Sequence, residues 1–153
     1  MNVTEEHKIE IFNYLTKHKL MCLGTYYKLP WSACVYYLFD DNFNLYFVSN
    51  PKTKHCMNIS KNSKVSVVIV NSEQDPEGKK KGFQARGNAS KVTSVFEIKE
   101  IIKAWNKRGF VKVTYNEFKK AWKSRFYKIK LTDIQLFDQS QSEENEVRMW
   151  KLS

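Results

Sequence analysis

Cysteine and histidine are both scarce in this chain, with three of each in 153 residues. Cys22, Cys34 and Cys56 are unevenly spaced in apolar or helical segments. That pattern argues against a disulfide framework and predicts reduced, buried thiols in a reducing compartment. His55 beside Cys56 is the one local hint of a metal, but neighbours in a helix face different ways and no second pair exists, so no metal site is expected. His7 and His18 fall on or beside the first predicted helix, and no Ser/His/Asp or paired-carboxylate arrangement is left to support hydrolysis. Long apolar runs are missing as well. Nothing approaches the roughly 20 residues that cross a bilayer, so no membrane role is expected. The opening Met1-Asn2-Val3-Thr4-Glu5-Glu6 lacks the basic and then apolar order of a secretory signal, and a cytoplasmic location is expected.

Arginine is rare too, since 22 of the 26 basic residues are lysine. The formal charge of +10 is concentrated between Lys99 and Lys130, a stretch with eleven Lys or Arg and two acids. A nucleic-acid-binding module using this basic lobe is one reading. Base and phosphate recognition lean on the arginine fork, however, and a solvated lysine face fits the composition better.

What is present is material for one core. A chain of this length supports a single domain, here taken as residues 1–153, and 42% hydrophobic residues are ample for a packed interior. Thr4 caps a predicted helix from Glu5 to Lys17, with Ile9, Phe12 and Leu15 on its core face. Leu20 to Tyr26 reads as a strand, Lys28-Leu29-Pro30 as a turn, and Trp31 to Phe39 and Leu45 to Ser49 as a hairpin joined through Asp40-Asp41-Asn42. After a short helix from Lys52 to Ser60, Val65 to Val70 reads as a strand buried on both faces at the sheet centre. An exposed loop from Glu73 to Lys81 leads to an extended segment, Phe83 to Thr93, where Gly87 marks a bulge or a close backbone approach. Two amphipathic helices follow, Val95 to Lys107 and Thr114 to Lys123, the second with Phe118, Ala121 and Trp122 on its stripe. Strands Phe126 to Leu131 and Ile134 to Phe137, a loop from Gln139 to Glu146 and a segment Val147 to Leu152 complete the chain.

The stretch from Asn44 to Ile59 carries the most chemistry. A strand stops at Ser49-Asn50-Pro51 and the predicted helix opens on Lys52, Thr53 and Lys54, where unpaired N–H groups and the positive dipole end favour an anion. Helix starts ordinarily carry Asp or Glu. Two lysines and two hydroxyls at that end work against the dipole unless a phosphate neutralises them. A solvated lysine pair is the alternative that the local residues leave open.

Taken together, several segments resemble a known family. They are Tyr36-Tyr37-Leu38-Phe39-Asp40-Asp41, Leu45-Tyr46-Phe47-Val48-Ser49, Lys52-Thr53-Lys54, Met57-Asn58-Ile59, Asn62-Ser63-Lys64-Val65-Ser66-Val67-Val68-Ile69 and Gly82-Phe83-Gln84-Ala85-Arg86-Gly87. Their order is similar to that of the pyridoxamine 5′-phosphate oxidase-like, FMN-binding split-barrel superfamily. Ala104 to Phe110 and Lys128 to Phe137 further resemble a small bacterial subgroup of it. The resemblance implies a mainly β (α+β) fold: a six-stranded antiparallel split β-barrel with an N-terminal helix, a short helix after the third strand and two helices before the last strands. It also implies a homodimer with flavin in a groove between subunits.

By position, Ser49, Lys52, Thr53 and Lys54 fall where relatives hold the FMN phosphate. Trp31, Ser32 and Ala33 match the strand whose backbone borders the isoalloxazine, and Gln84 is placed to donate to a ring carbonyl or N5. No catalytic residue is assigned. The arginine-rich strand of the true oxidase is missing near Cys34 to Leu38, and near the C-terminus Trp150 stands with Arg148 but without the oxidase's His. Pyridoxamine phosphate oxidation is therefore not expected, and Trp150 is read as a packing anchor. The resemblance favours an FMN-dependent oxidoreductase acting on a small molecule, with a nicotinamide as electron donor. Behind it stand a non-catalytic flavin- or haem-binding or sensing protein and, last, the nucleic-acid module.

Overall fold

The computed structural model describes residues 3–120 and 123–152. Helix α1 (Glu5–Lys17) is followed by β1 (Leu20–Tyr27), β2 (Leu29–Phe39), β3 (Asn44–Ser49), α2 (Lys54–Lys61), β4 (Lys64–Val70) and β5 (Lys81–Lys91). Then come α3 (Val95–Lys107), α4 (Tyr115–Lys120), β6 (Arg125–Asp138), a 3₁₀ turn (Glu143–Asn145) and β7 (Val147–Lys151). The strands form one antiparallel sheet in the order β3-β2-β1-β4-β5-β6-β7, and a further pairing of β3 with β6 closes the first six into a barrel. The expected six-stranded split barrel is therefore present, with β7 added along the outer edge of β6. Among the described residues, no helix is long and apolar enough to cross a membrane.

Thr4 caps α1 as expected: its hydroxyl accepts from the His7 N–H while its own N–H donates to His7 Nδ1. The buried face of the helix is Ile11, Tyr14 and Leu15; Ile9, expected on that face, is exposed. An ionic cluster pins the helix to the barrel, with Glu10 taking Arg148 at 2.6 and 2.8 Å and Lys81 at 3.2 Å.

The turn between β1 and β2 is a single residue, Lys28 at φ 64, so Leu29 and Pro30 belong to β2 and not to a turn. Pro30 is tolerated because of the register. Tyr37 N–H donates to Lys19 C=O, so hydrogen-bonded pairs fall at every second position from there, and Pro30 opposite Tyr26 is a pair that asks for no N–H.

The extended segment at Gly87 carries the expected irregularity. The register shifts between Arg86, opposite Asp133, and Gly87, opposite Leu131, so Thr132 is the extra residue. A Cβ on Gly87 would lie 2.4 Å from the Lys130 carbonyl oxygen. This bulge switches the inward phase of β6 from Tyr127, Ile129 and Leu131 to Ile134 and Leu136, which is why one long strand reads in sequence as two.

Two cores result. One fills the barrel, with Leu15, Met21, Leu23, Tyr37, Phe47, Ile69, Phe83, Ile129 and Trp150. The other lies outside it, where Ile101, Ile102, Trp105 and Phe118 of α3 and α4 cover Leu38, Tyr46 and Phe126. Ala121 and Trp122, expected on the α4 stripe, lie outside the described residues.

Two burial expectations are overturned. Strand β4 is central in the sheet order, yet only Val65, Val67 and Ile69 are buried, while Ser66, Val68 and Val70 are exposed on the outer face. Of the cysteines only Cys56 is buried, and Cys22 and Cys34 are exposed on the same outer face as Val68. Among the described residues, α3 and α4 cover this side of β2 only toward its end, at Leu38, with Phe110 against Tyr36, and leave Cys34, Cys22 and Val68 exposed.

Candidate functional site

Strand β2 pairs with β3 only from Tyr37 to Phe39, and beyond that point the two separate. Helix α2 occupies the split and is tied to β1 by side-chain amides. Asn58 Nδ2 donates to Thr25 Oγ1 at 3.1 Å, Thr25 Oγ1 donates onward to the Trp31 carbonyl at 3.3 Å, and Asn62 Nδ2 donates to the Tyr26 carbonyl at 2.9 Å. This relay holds the Trp31 end of β2 beside the helix.

The helix begins at Lys54 and not at Lys52, because Asn50 diverts the chain first. Its side-chain oxygen accepts from Lys52 N–H, and its carbonyl accepts from both the N–H and the hydroxyl of Thr53. Thr53 is the N-cap, yet its side chain caps nothing, and the first turn contains no acid. Its hydroxyl is engaged elsewhere. Ser49 Oγ lies 2.8 Å from His55 Nε2 and Thr53 Oγ1 lies 3.2 Å from the same nitrogen, with the two hydroxyls 3.3 Å apart. Lys52 and Lys54 are exposed on either side of this cluster. Neither makes an ion pair among the described residues.

Below the cluster sits Cys56, 2% exposed. Burial pushes its thiol up, but hydrogen bonding to His55, Thr53, Tyr127 and Ser49 outweighs this and leaves it below the ordinary thiol range. Burial, followed by the Cys56 contact, pushes the Tyr127 phenol well above its usual range. Tyr127 stacks on Phe47 with ring centres 5.1 Å apart.

The structure thus brings Ser49, Lys52, Thr53 and Lys54 into one corner and places Trp31 one relay away. Alternation separates Ser32, on the outer face with Cys34, from Trp31 and Ala33. Gln84 is not part of the corner. It lies on the outer face in the row Cys34, Cys22, Val68, Gln84, three strand spacings or roughly 14 Å from β2. There its Oε1 accepts from Gln135 Nε2 at 2.9 Å, in a cleft of about 290 Å³ that also includes Ser66, Val68, Arg86 and Met149.

Three residues of the corner escape a reading of the sequence. In the sequence His55 suggests only a metal ligand and Asn58 only part of a family pattern, and Arg125 is brought opposite Ser49 by the β3–β6 pairing. The one available signal was spacing: His55, Asn58 and Ile59 stand at i, i+3 and i+4, one helix face, and all three are buried.

A closed antiparallel barrel, split at one seam and plugged there by a helix whose start carries lysines and hydroxyls, is a split-barrel architecture. The chain belongs to the pyridoxamine 5′-phosphate oxidase family, whose model matches residues 8–138. Solved structures share the fold. A candidate pyridoxamine 5′-phosphate oxidase from Listeria innocua is 21% identical, with TM-score 0.64 over 84% of this chain and 96% of that one. A FAD-binding protein from Mesorhizobium loti is 18% identical, with TM-score 0.62 over 82% and 90%. HutZ, the haem storage protein of Vibrio cholerae, is 15% identical, with TM-score 0.65 over 86% and 91%. No curated protein matches the sequence.

Proposed function

We propose that this chain binds FMN as a homodimer and serves as an oxidoreductase toward a small molecule, with a reduced nicotinamide as donor. The observation that carries the reading is the start of α2, uncapped and free of acids, with exposed Lys52 and Lys54 flanking the Ser49–Thr53–His55 cluster. These residues fit a phosphate. The lysines neutralise its charge, the Ser49 hydroxyl donates to its oxygens, the Thr53 hydroxyl joins it on turning from the Asn50 carbonyl, and the first-turn N–H groups complete the cradle.

The bound isoalloxazine would supply hydride acceptance at N5. The protein's part is orientation. The backbone of Trp31, Ser32 and Ala33 offers N–H and C=O groups to the polar edge of the ring, and Gln84 offers an amide. Because Gln84 stands roughly 14 Å from β2 within one chain, the reading assigns the groove to two subunits, one supplying the α2 corner and the other the outer-face amide. The exposed apolar residues Leu20, Tyr36, Val68, Val70 and Met149 on that outer face suit contact with a second copy.

Titration of the purified protein with FMN, followed by absorbance and by light scattering, tests this. Yellow protein eluting as a dimer, whose flavin bleaches with NADH or NADPH, is the expected result. Absence of FMN binding would remove the reading. Haem uptake with a Soret band in its place would move this chain to haem binding, and bound flavin that neither nicotinamide reduces would make it a carrier or sensor.

A further inference from the structure

Ser49 Oγ, Thr53 Oγ1 and His55 Nε2 form a closed triangle that has few hydrogens to share. Thr53 Oγ1 donates to the Asn50 carbonyl at 2.8 Å, so toward the other two corners it only accepts, with Ser49 Oγ at 3.3 Å and His55 Nε2 at 3.2 Å. Ser49 Oγ lies 2.8 Å from Nε2, a length usual for a hydroxyl donor and shorter than is usual for a ring N–H donor. In the free protein Ser49 therefore donates to Nε2, and the neutral ring carries its hydrogen on Nδ1. A phosphate reverses these demands. Its oxygens accept, so the hydroxyls that grip it must turn their hydrogens outward. Thr53 can do so because the Asn50 carbonyl keeps its other donor, the Thr53 N–H, at 2.9 Å. Both hydroxyl oxygens then face Nε2 with lone pairs. A bare Nε2 would make three acceptors with no donor among them, beside a ring only 8% exposed.

We propose that His55 is the positioning residue of this corner and that phosphate binding moves its ring hydrogen from Nδ1 to Nε2. Nε2–H then donates from behind to Ser49 Oγ and Thr53 Oγ1, while both hydroxyls donate to the phosphate. The step balances: Nδ1 gives its proton to water, Nε2 takes one from water, and the ring stays neutral, as its burial favours. The inference rests on the FMN reading above and adds to it a selection by hydrogen count. With Nε2–H behind them, the two hydroxyls present donors outward, so the corner favours a group built of acceptors, a phosphate monoester. Riboflavin, whose side chain ends in a hydroxyl, makes no such demand and leaves the hydrogen on Nδ1.

The test labels the histidine nitrogens of the full-length protein isotopically and reads long-range proton–nitrogen correlation spectra at neutral pH, which separate the two neutral ring forms from the doubly protonated one. His55→Gln assigns the His55 signals against those of His7 and His18. The free protein should show Nε2 bare, addition of FMN should move the hydrogen to Nε2, and riboflavin should leave the free pattern unchanged. Ser49→Ala removes the donor that Nε2 accepts from, so its ring should show Nε2–H toward Thr53 Oγ1 without any ligand. Absorbance of the same samples reports binding. FMN that stays unbound removes the FMN reading and this proposal together. Bound FMN with Nε2 still bare, a ring protonated on both nitrogens, or a Ser49→Ala ring that keeps its hydrogen on Nδ1 would overturn the proposal alone.

Discussion

Ser49 Oγ sits 2.8 Å from Nε2 of His55, and this contact holds the end of β3 against the start of α2. The ring is 8% exposed, so its orientation is set by the two hydroxyls and by the fold and not by solvent. Ser49 and Thr53 are thereby fixed before any ligand arrives.

Replacing His55 with Ala removes the common partner of both hydroxyls. Loss of the buried hydrogen bonding should cost about 1–3 kcal/mol, lowering Tm by several degrees in a calorimetric scan. FMN affinity should fall with it. A variant as stable as the wild type would show that the ring is a bystander.

Lys54→Ala should weaken FMN binding about fivefold to tenfold, the size of one charge-assisted contact at an exposed site. Riboflavin, which lacks the phosphate, should bind wild type and variant alike. The wild-type FMN affinity should also fall more steeply with salt than that of the variant. Equal losses for both ligands in fluorescence titration would place Lys54 away from the phosphate.

Gly87→Ala puts a methyl 2.4 Å from the Lys130 carbonyl oxygen, a backbone atom with no room to retreat. Destabilisation of about 1–3 kcal/mol is expected in urea unfolding. An unchanged midpoint would mean that the bulge relaxes freely.

Asp138 Oδ2 meets Lys81 Nζ at 2.6 Å, and its Oδ1 accepts from the N–H and hydroxyl of Ser140. Burial raises its carboxyl, but Lys81 and Ser140 outweigh this and bring it to about 2 from the ordinary 3.8. A depressed folded-state value means that this stabilisation is complete above pH 4 and is lost as pH falls from about 4 to about 2. Acid unfolding of Asp138→Asn should lose that part of its pH dependence, while the neutral-pH stability drops by about 1.5–3 kcal/mol. Superimposable acid curves would deny Asp138 this part.

The barrel was largely legible in the sequence because its signals are local. Thr4 ahead of Glu5, the turn residues Asp40-Asp41-Asn42 between β2 and β3 and Gly87 within an extended run each report a backbone requirement within a few residues. The misreadings have local causes as well. Asn50 draws in the amides of Lys52 and Thr53 and delays α2 to Lys54, Lys28 turns the chain alone, and Thr132 resets the phase of β6.

By itself, the sequence determined the order of elements, the family resemblance and a helix start crowded with lysines and hydroxyls, because these follow from residues adjacent in the chain. Only the tertiary structure decided that His55 bridges Ser49 and Thr53, that Cys22 faces Cys34 in the open, and that Gln84 lies three strands from β2. Those facts depend on strand order and register. Pairing between distant segments sets both, so no local window of sequence contains them.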